Sequence, residues 1–240
     1  MHPGSIPGEA SIVGSLGQGR AMMSTDFAGL RTKMVDGQVR TTDVTSLDLL
    51  DALLAVPREE FVPAARKSLA YIDEDLEIAP GRYLMEPSPF ARLVQLAAIK
   101  PGDFVLDIGA GTGYSSAVLS KLAGAVVALE EDAALAARAQ GVLSNLGYDT
   151  VAVVEGPLRE GYAAQGPYDV ILIEGAVQSV PDEIIAQLKD DGRLVVVEGV
   201  GNAGVARLYV KQGGVTSPRR AFNAAVRPLP GFHSAPAFEF

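Results

Sequence analysis

The sequence predicts the α/β class, with a mostly parallel sheet covered by helices on both faces. Three observations predict it. Short apolar runs at residues 104–108, interrupted only by Asp107, and at 125–129, 151–154, 170–173 and 194–197 read as strands buried on both faces. Helical spacing fills residues 114–122, 133–146 and 182–188, giving the alternation that parallel strands need for their crossovers. Glycine and proline mark the boundaries, as at Pro101-Gly102 before the first run and Gly147 after the second helix.

Residues 1–22 are punctuated by Gly and Pro, lack the basic start and apolar middle of a signal peptide, and are expected to be a flexible extension. From Asp26, apolar residues Phe27, Leu30 and Met34 recur at helical spacing, and Ser46 is placed to cap a second helix that Pro57 ends. Residues 61–89 carry five prolines and glycines at 63, 80, 81, 87 and 89, so loops and short strands lying over a surface are expected there. A helix over 90–99 leads into the alternating region. After Val205, VARLYVK and AFNAAV predict two further strands that close one sheet edge as a hairpin. The expected organisation is an extension (1–22), a helical and loop region covering the site (23–89), and a ligand-binding domain with a C-terminal hairpin (90–240).

With 240 residues, of which 48% are hydrophobic, the chain can bury a full core. It has no cysteine, which excludes disulfides, thiolate nucleophiles and sulfur-ligated metals and suits a reducing compartment such as the cytoplasm. The two histidines, His2 and His233, lie near opposite ends, so neither a histidine metal cluster nor a serine-histidine-acid triad is expected, and no metal is. No run approaches the roughly 20 apolar residues of a membrane-spanning helix. A net charge of −9 disfavours nucleic acid and leaves small molecules and proteins as the favoured partners.

The informative stretch is VLDIGAGTGY, residues 105–114: a strand ending at Asp107, then Gly109, Ala110, Gly111, Thr112 and Gly113 before Tyr114 opens a helix. Glycines there permit positive φ and close approach of a ligand at the carboxyl end of a parallel strand. The third glycine of a dinucleotide fingerprint would fall at Tyr114, and no Gly-Lys-Ser/Thr follows, so neither a nicotinamide dinucleotide nor a P-loop nucleotide fits. Asp107 would oppose a pyrophosphate and suits a cationic ligand. Glu130, with Glu131 beside it, ends the next strand where an acid accepts hydrogen bonds from ribose hydroxyls. Together these residues predict a nucleoside site.

This joint pattern resembles the class I S-adenosylmethionine-dependent methyltransferases, which implies a Rossmann-like, seven-stranded sheet and S-adenosyl-L-methionine as cofactor. In that family the first acid faces the methionine end, the glycines pass under the ligand and the second acid holds the ribose. Further stretches are similar to the protein-L-isoaspartate O-methyltransferases: LDALLAVPREEFVP (50–63), Ala70-Tyr71, PYDVILI (167–173), IIAQLKDDGRLVVVEG (184–199) and VRPLPGF near the end. The resemblance implies methyl esterification of isoaspartyl carboxylates in damaged proteins, hence protein repair with a protein or peptide substrate.

Three departures from the family pattern stand at the site. Where the family has Thr-Ile-Ser-x-Pro, with the serine hydroxyl near the methyl acceptor, this chain has Tyr83-Leu84-Met85-Glu86-Pro87. Gly156-Pro157-Leu158 replaces a Gly-Asp-Gly whose acid lies near the adenine, and Glu174-Gly175-Ala176 replaces Thr-Ala-Ala. Met85, Glu86, Ser88 and Glu174 are therefore the candidate acceptor-side residues, Ser88 as a substitute donor and Glu174 as a base if the acceptor has changed. Two alternatives stay open: a methyltransferase for RNA or a small molecule, and a non-catalytic nucleoside-binding homologue.

Overall fold

The computed structural model describes Met1 and residues 25–199 and 201–232. The expected flexible extension falls almost entirely outside these residues, as do both histidines. Six α-helices and nine strands are found among them.

Helices α1 (Phe27–Met34) and α2 (Leu47–Ala55) come first. Ser46 does cap α2, its hydroxyl accepting from the Leu49 N–H at 3.4 Å. The region expected to be irregular contains a small antiparallel hairpin, β1 (Leu76–Ala79) and β2 (Arg82–Leu84), turned at Pro80-Gly81 where Gly81 adopts φ 71°. Helix α3 (Pro87–Ala97) starts on a proline, where no N–H is missed, and stops at Ala98 in the left-handed region.

The main sheet has order β5-β4-β3-β6-β7-β8-β9. Strands β3 (Phe104–Ile108), β4 (Ala125–Glu130), β5 (Val151–Glu155), β6 (Tyr168–Val177) and β7 (Leu188–Glu198) are parallel. Strands β8 (Val205–Gln212) and β9 (Val215–Asn223) add the predicted antiparallel hairpin at one edge. Strands β6 and β7 run longer than their apolar cores because polar flanking residues continue the ladder.

Alternate strand residues divide between two apolar clusters, as a pleated sheet requires. Val105, Val126, Val170 and Val195 face one cluster with residues from α1 to α3, α4 (Tyr114–Leu119) and α5 (Ala133–Asn145). Leu106, Val127, Ile171 and Leu194 face a smaller one closed by α6 (Asp182–Ala186), Leu158, Leu229 and Phe232. Both faces are covered, the first far more heavily. Asp107 and Glu130 share strand parity with Val105 and Val126, so both stand on the heavily covered face at the carboxyl ends of adjacent strands.

Candidate functional site

Three acids stand at or near the carboxyl ends of the three neighbouring strands β4, β3 and β6: Glu130, Asp107 and Glu174. Between the first two runs the glycine turn, with positive φ at Gly109 (84°), Gly111 (58°) and Gly113 (92°). Its N–H groups close onto the next strand: Gly109 and Ala110 donate to Leu129 O at 2.9 and 3.2 Å, and Gly111 to Glu130 Oε2 at 2.8 Å.

Asp107 is fully buried. Its Oδ2 accepts from the hydroxyls of Ser115 (2.6 Å) and Ser116 (2.5 Å) in the first turn of α4, while Oδ1 has no partner among the described residues. Burial, and less so the nearby Glu130, push its carboxyl up to about 6 against the lowering effect of the two serines. Glu174 has part of its surface at the crevice, but its Oε1 is sealed and unpartnered. Burial first, then the charge of Asp107, hold it well above the ordinary glutamate range, with Arg58 pulling the other way.

Glu130 is the opposite case. It is fully buried yet receives a bidentate pair from Arg82 on β2, with Arg82 Nη2 on Oε2 at 2.6 Å, and N–H bonds from Gly111, Glu131 and Asp132 at 2.8, 3.0 and 3.0 Å. Arg82 also reaches Gly109 O at 3.3 Å. The small hairpin thus lies across the glycine turn. A Cβ added at Gly111 would meet Ile78 Cδ1 at 2.7 Å, and one at Gly109 would meet Leu229 Cδ1 at 2.8 Å. The space left among Arg82, Tyr83, Met85, Glu174 and Leu229 is only about 10 Å³, room for at most one water.

A second wall is built by the VPREEF segment. Arg58, fully buried, donates from Nε to Ala70 O (2.8 Å) and from Nη2 to Met85 O (2.7 Å), and its guanidinium sits 4.7 Å from the Tyr114 ring centre. Its Nη1 has no partner. Phe61 and Phe90 each approach Tyr114 at 5.7 Å, so the tyrosine is enclosed and unable to swing toward a ligand without disturbing them. Thr112 Oγ1 donates to Phe61 O and Arg138 to Val62 O, tying this segment to the turn and to α5. Glu59 is held by Arg31 and the Tyr71 hydroxyl.

The remaining candidates spread around this centre. Met85 is packed in the core and contributes its carbonyl to Arg58, with no polar side-chain atom to offer. Glu86 precedes α3, its N–H on Asp75 Oδ1 at 2.8 Å; partial burial and the acids Asp73, Asp75 and Glu74 push its carboxyl up to about 7. Ser88 is half-buried in the first turn of α3. Gly156 N donates to Glu130 O, Pro157 follows, and Leu158 is buried in the smaller core cluster with its N–H toward Glu131. Spacing alone did not reveal Arg82 or the roles of Ser115, Ser116 and Arg58; two hydroxyls one turn after Asp107 were the one available signal.

A roomier concavity, about 540 Å³, lies elsewhere, between α2 and α3 and beside Lys121 near the amino ends of β3 and β4. Gln95 on its wall is already bonded to Thr45 N, Ser46 N and Asp43 O. Among the described residues, none of its lining side chains has a sealed, unpartnered polar atom. The carboxyl-end crevice is smaller but chemically distinctive.

The family profile described as Protein-L-isoaspartate(D-aspartate) O-methyltransferase matches residues 31–229. A protein-L-isoaspartate O-methyltransferase of Koribacter versatilis is 39% identical over 209 residues, covering 86% of this chain and 93% of the relative. One from Methylorubrum extorquens is 40% identical over 174 residues, 72% and 76% of the two chains. A solved protein-L-isoaspartate O-methyltransferase superposes with TM-score 0.72 at 27% identity, covering 84% of this chain and 67% of that one. A Plasmodium falciparum structure, titled as a putative enzyme of this kind in complex with S-adenosyl-L-homocysteine, shares the fold at TM-score 0.73 and 19% identity, covering 87% and 100%.

Proposed function

From the premise that this chain belongs to the protein-L-isoaspartate(D-aspartate) O-methyltransferase family, we propose that it transfers a methyl group from S-adenosylmethionine to isoaspartyl carboxylates of damaged proteins in the cytoplasm. The observation that carries this is the group of sealed, unpartnered atoms at the carboxyl ends of β3 and β6: Asp107 Oδ1 and Glu174 Oε1, electrostatically linked to each other and, through Glu174, to Arg58, whose Nη1 is unpartnered. Buried polar atoms are normally bonded, so such a group marks a place for a polar ligand.

At the methionine end the residues offer an unfilled acceptor, although the space beside Glu174, about 10 Å³, has to open to admit the cofactor. Asp107 Oδ1 is free to accept from an ammonium, and the two serines hold the carboxylate in place. The nucleoside end fits by donor set only, because Glu130 is held by Arg82 and the glycines are covered by Ile78 and Leu229. Ligand pockets of this class need several hundred Å³. Binding therefore displaces the hairpin, and ribose hydroxyls take the place of the Arg82 guanidinium on Glu130. Residues 23–89 act in this reading as the cover of the domain formed by residues 90–240.

The bound cofactor supplies a sulfonium-linked methyl carbon, which the acceptor oxygen takes as the carbon–sulfur bond breaks and its electron pair stays on sulfur. The chain's part is positioning and exclusion of water. An isoaspartyl carboxylate is ionised at neutral pH, so no side chain has to remove a proton from it. Arg58 stiffens the wall under the acceptor through its bond to Met85 O.

The test is direct: the protein incubated with radiolabelled cofactor and an isoaspartyl peptide is expected to yield base-labile methyl ester, and the aspartyl peptide none. Absence of ester, with the nucleoside shown to bind, would reject the proposal. The closed hairpin favours one second reading, a nucleoside-binding homologue without transfer, which would give that same negative result together with tight binding.

A further inference from the structure

We infer that Glu174 holds the acceptor carboxylate with its own carboxyl O–H, acting as the donor that this chain lacks at Met85. This rests on the isoaspartyl reading above. Glu174 lies near the end of β6, next to the strand that carries Asp107, and it lines the same small cavity as Tyr83, Met85 and Leu229. Met85 offers that cavity no hydrogen-bond donor beyond its backbone. Glu174 offers a carboxyl oxygen that is sealed from water and bonded to nothing.

Groups facing Glu174 decide its protonation. From β3 comes Asp107, a like charge; from the VPREEF segment comes Arg58; from α4 comes the hydroxyl-bearing ring of Tyr114. Around the cavity stand Asp75, Arg82, Tyr83 and Arg227. Arg82 is committed to Glu130, and Arg227 lies against Asp75 at 3.9 Å. Arg58 directs two of its nitrogens at carbonyls and forms no ion pair with Glu174. Arg58 thus keeps its charge and an unpartnered Nη1, but its pull on Glu174 ranks below burial and Asp107, which both disfavour the ionised form. An ammonium on Asp107 removes that like charge, and the arriving acceptor carboxylate replaces it.

In the O–H form Glu174 donates to the carboxylate oxygen that does not attack. Ester formation neither takes up nor releases a proton, so Glu174 keeps its hydrogen throughout. An ionised Glu174 would instead repel the acceptor. A base at this position would serve an amine or hydroxyl acceptor and predicts the reverse pH dependence.

The experiment is kcat/KM for an isoaspartyl peptide across about pH 6 to 9 in wild type, Glu174→Gln and Glu174→Ala. Wild-type kcat/KM is expected to fall as pH rises and the O–H is lost. Glu174→Gln, whose amide still donates, should stay within about tenfold of wild type and lose that alkaline fall, whereas Glu174→Ala should drop by about 30-fold or more. Glu174→Gln as impaired as Glu174→Ala, or an alkaline fall that persists in Glu174→Gln, would overturn the inference. Wild type that binds S-adenosylhomocysteine but forms no ester would instead overturn the proposed function, and this inference with it. Independently of any variant's activity, a ¹³C-carboxyl titration of the wild type should place Glu174 above the ordinary glutamate range; a midpoint within that range overturns the inference.

Discussion

Glu130 and Asp107 are both fully buried acids at the carboxyl ends of adjacent strands, yet the protein treats them in opposite ways. Glu130 is saturated, with a guanidinium and three backbone N–H groups around it. Asp107 is half-satisfied, with one oxygen on two serines and the other on nothing. Neither charge could stay buried without compensation. The first is compensated by the chain itself and, in the proposed function, exchanges partners to bind a ligand; the second has an oxygen left for one. On that proposal one end of the crevice serves stability in the free protein and the other affinity.

The contrast breaks first on stability. Glu130→Ala leaves Arg82 against apolar residues with only Gly109 O to bond, and is expected to cost about 3 kcal/mol in urea unfolding, the lower end for a broken buried pair. Asp107→Asn should leave the free protein as stable or more so near neutral pH. If the two variants lose stability equally, the distinction fails.

Ligand affinity is expected to reverse the order for Asp107. Asp107→Asn removes the charge proposed to meet the ammonium and is expected to weaken S-adenosylhomocysteine binding by roughly 10- to 100-fold in calorimetry, the worth of one hydrogen bond to a charged group. The Asp107 carboxyl stands at about 6, above the ordinary aspartate value. Its contribution to stability is accordingly full below that ordinary value and lost as pH rises through about 6, and Glu86 adds a similar loss through about 7. Denaturation midpoints should fall over this window in wild type and fall less in Asp107→Asn. Affinity should do the opposite in wild type, weakening as pH drops below about 6, because the ligand needs the ionised form.

Arg82→Ala is a smaller perturbation, since three N–H groups remain on Glu130. It should cost about 1 kcal/mol of stability while tightening nucleoside binding several-fold; weaker binding would mean that Arg82 serves the ligand and does not compete with it. Asp36→Ala, which removes one exposed partner of Arg40, should change unfolding by no more than about 0.5 kcal/mol and binding not at all.

Much of the main sheet was legible because buried parallel strands are continuous apolar runs, and the strand at Phe104–Ile108 has the predicted bounds. Helix caps such as Ser46 were legible for the same local reason. The glycine turn with Asp107 and Glu130 could be placed because strand, turn and helix follow one another within a few residues. Arg82 could not. It pairs with a residue 48 positions away, and its hairpin is held by long-range contacts that no period records. Likewise the sequence marks Arg58 only as one residue of the stretch 50–63, while its guanidinium braces the wall through Ala70 O and Met85 O, contacts set by the packed fold. Residue types at a site are local information; which charge answers which is set by the packed fold.

In the proposed function a sulfonium nucleoside replaces Arg82 on Glu130 while its ammonium completes Asp107. A crystal structure of the protein with S-adenosylhomocysteine measures this most directly. Ribose hydroxyls are expected on Glu130, the amino group on Asp107 Oδ1, and the Pro80-Gly81 hairpin moved outward with Arg82 released. Density showing Arg82 still paired with Glu130 and the nucleoside bound at another place would contradict it.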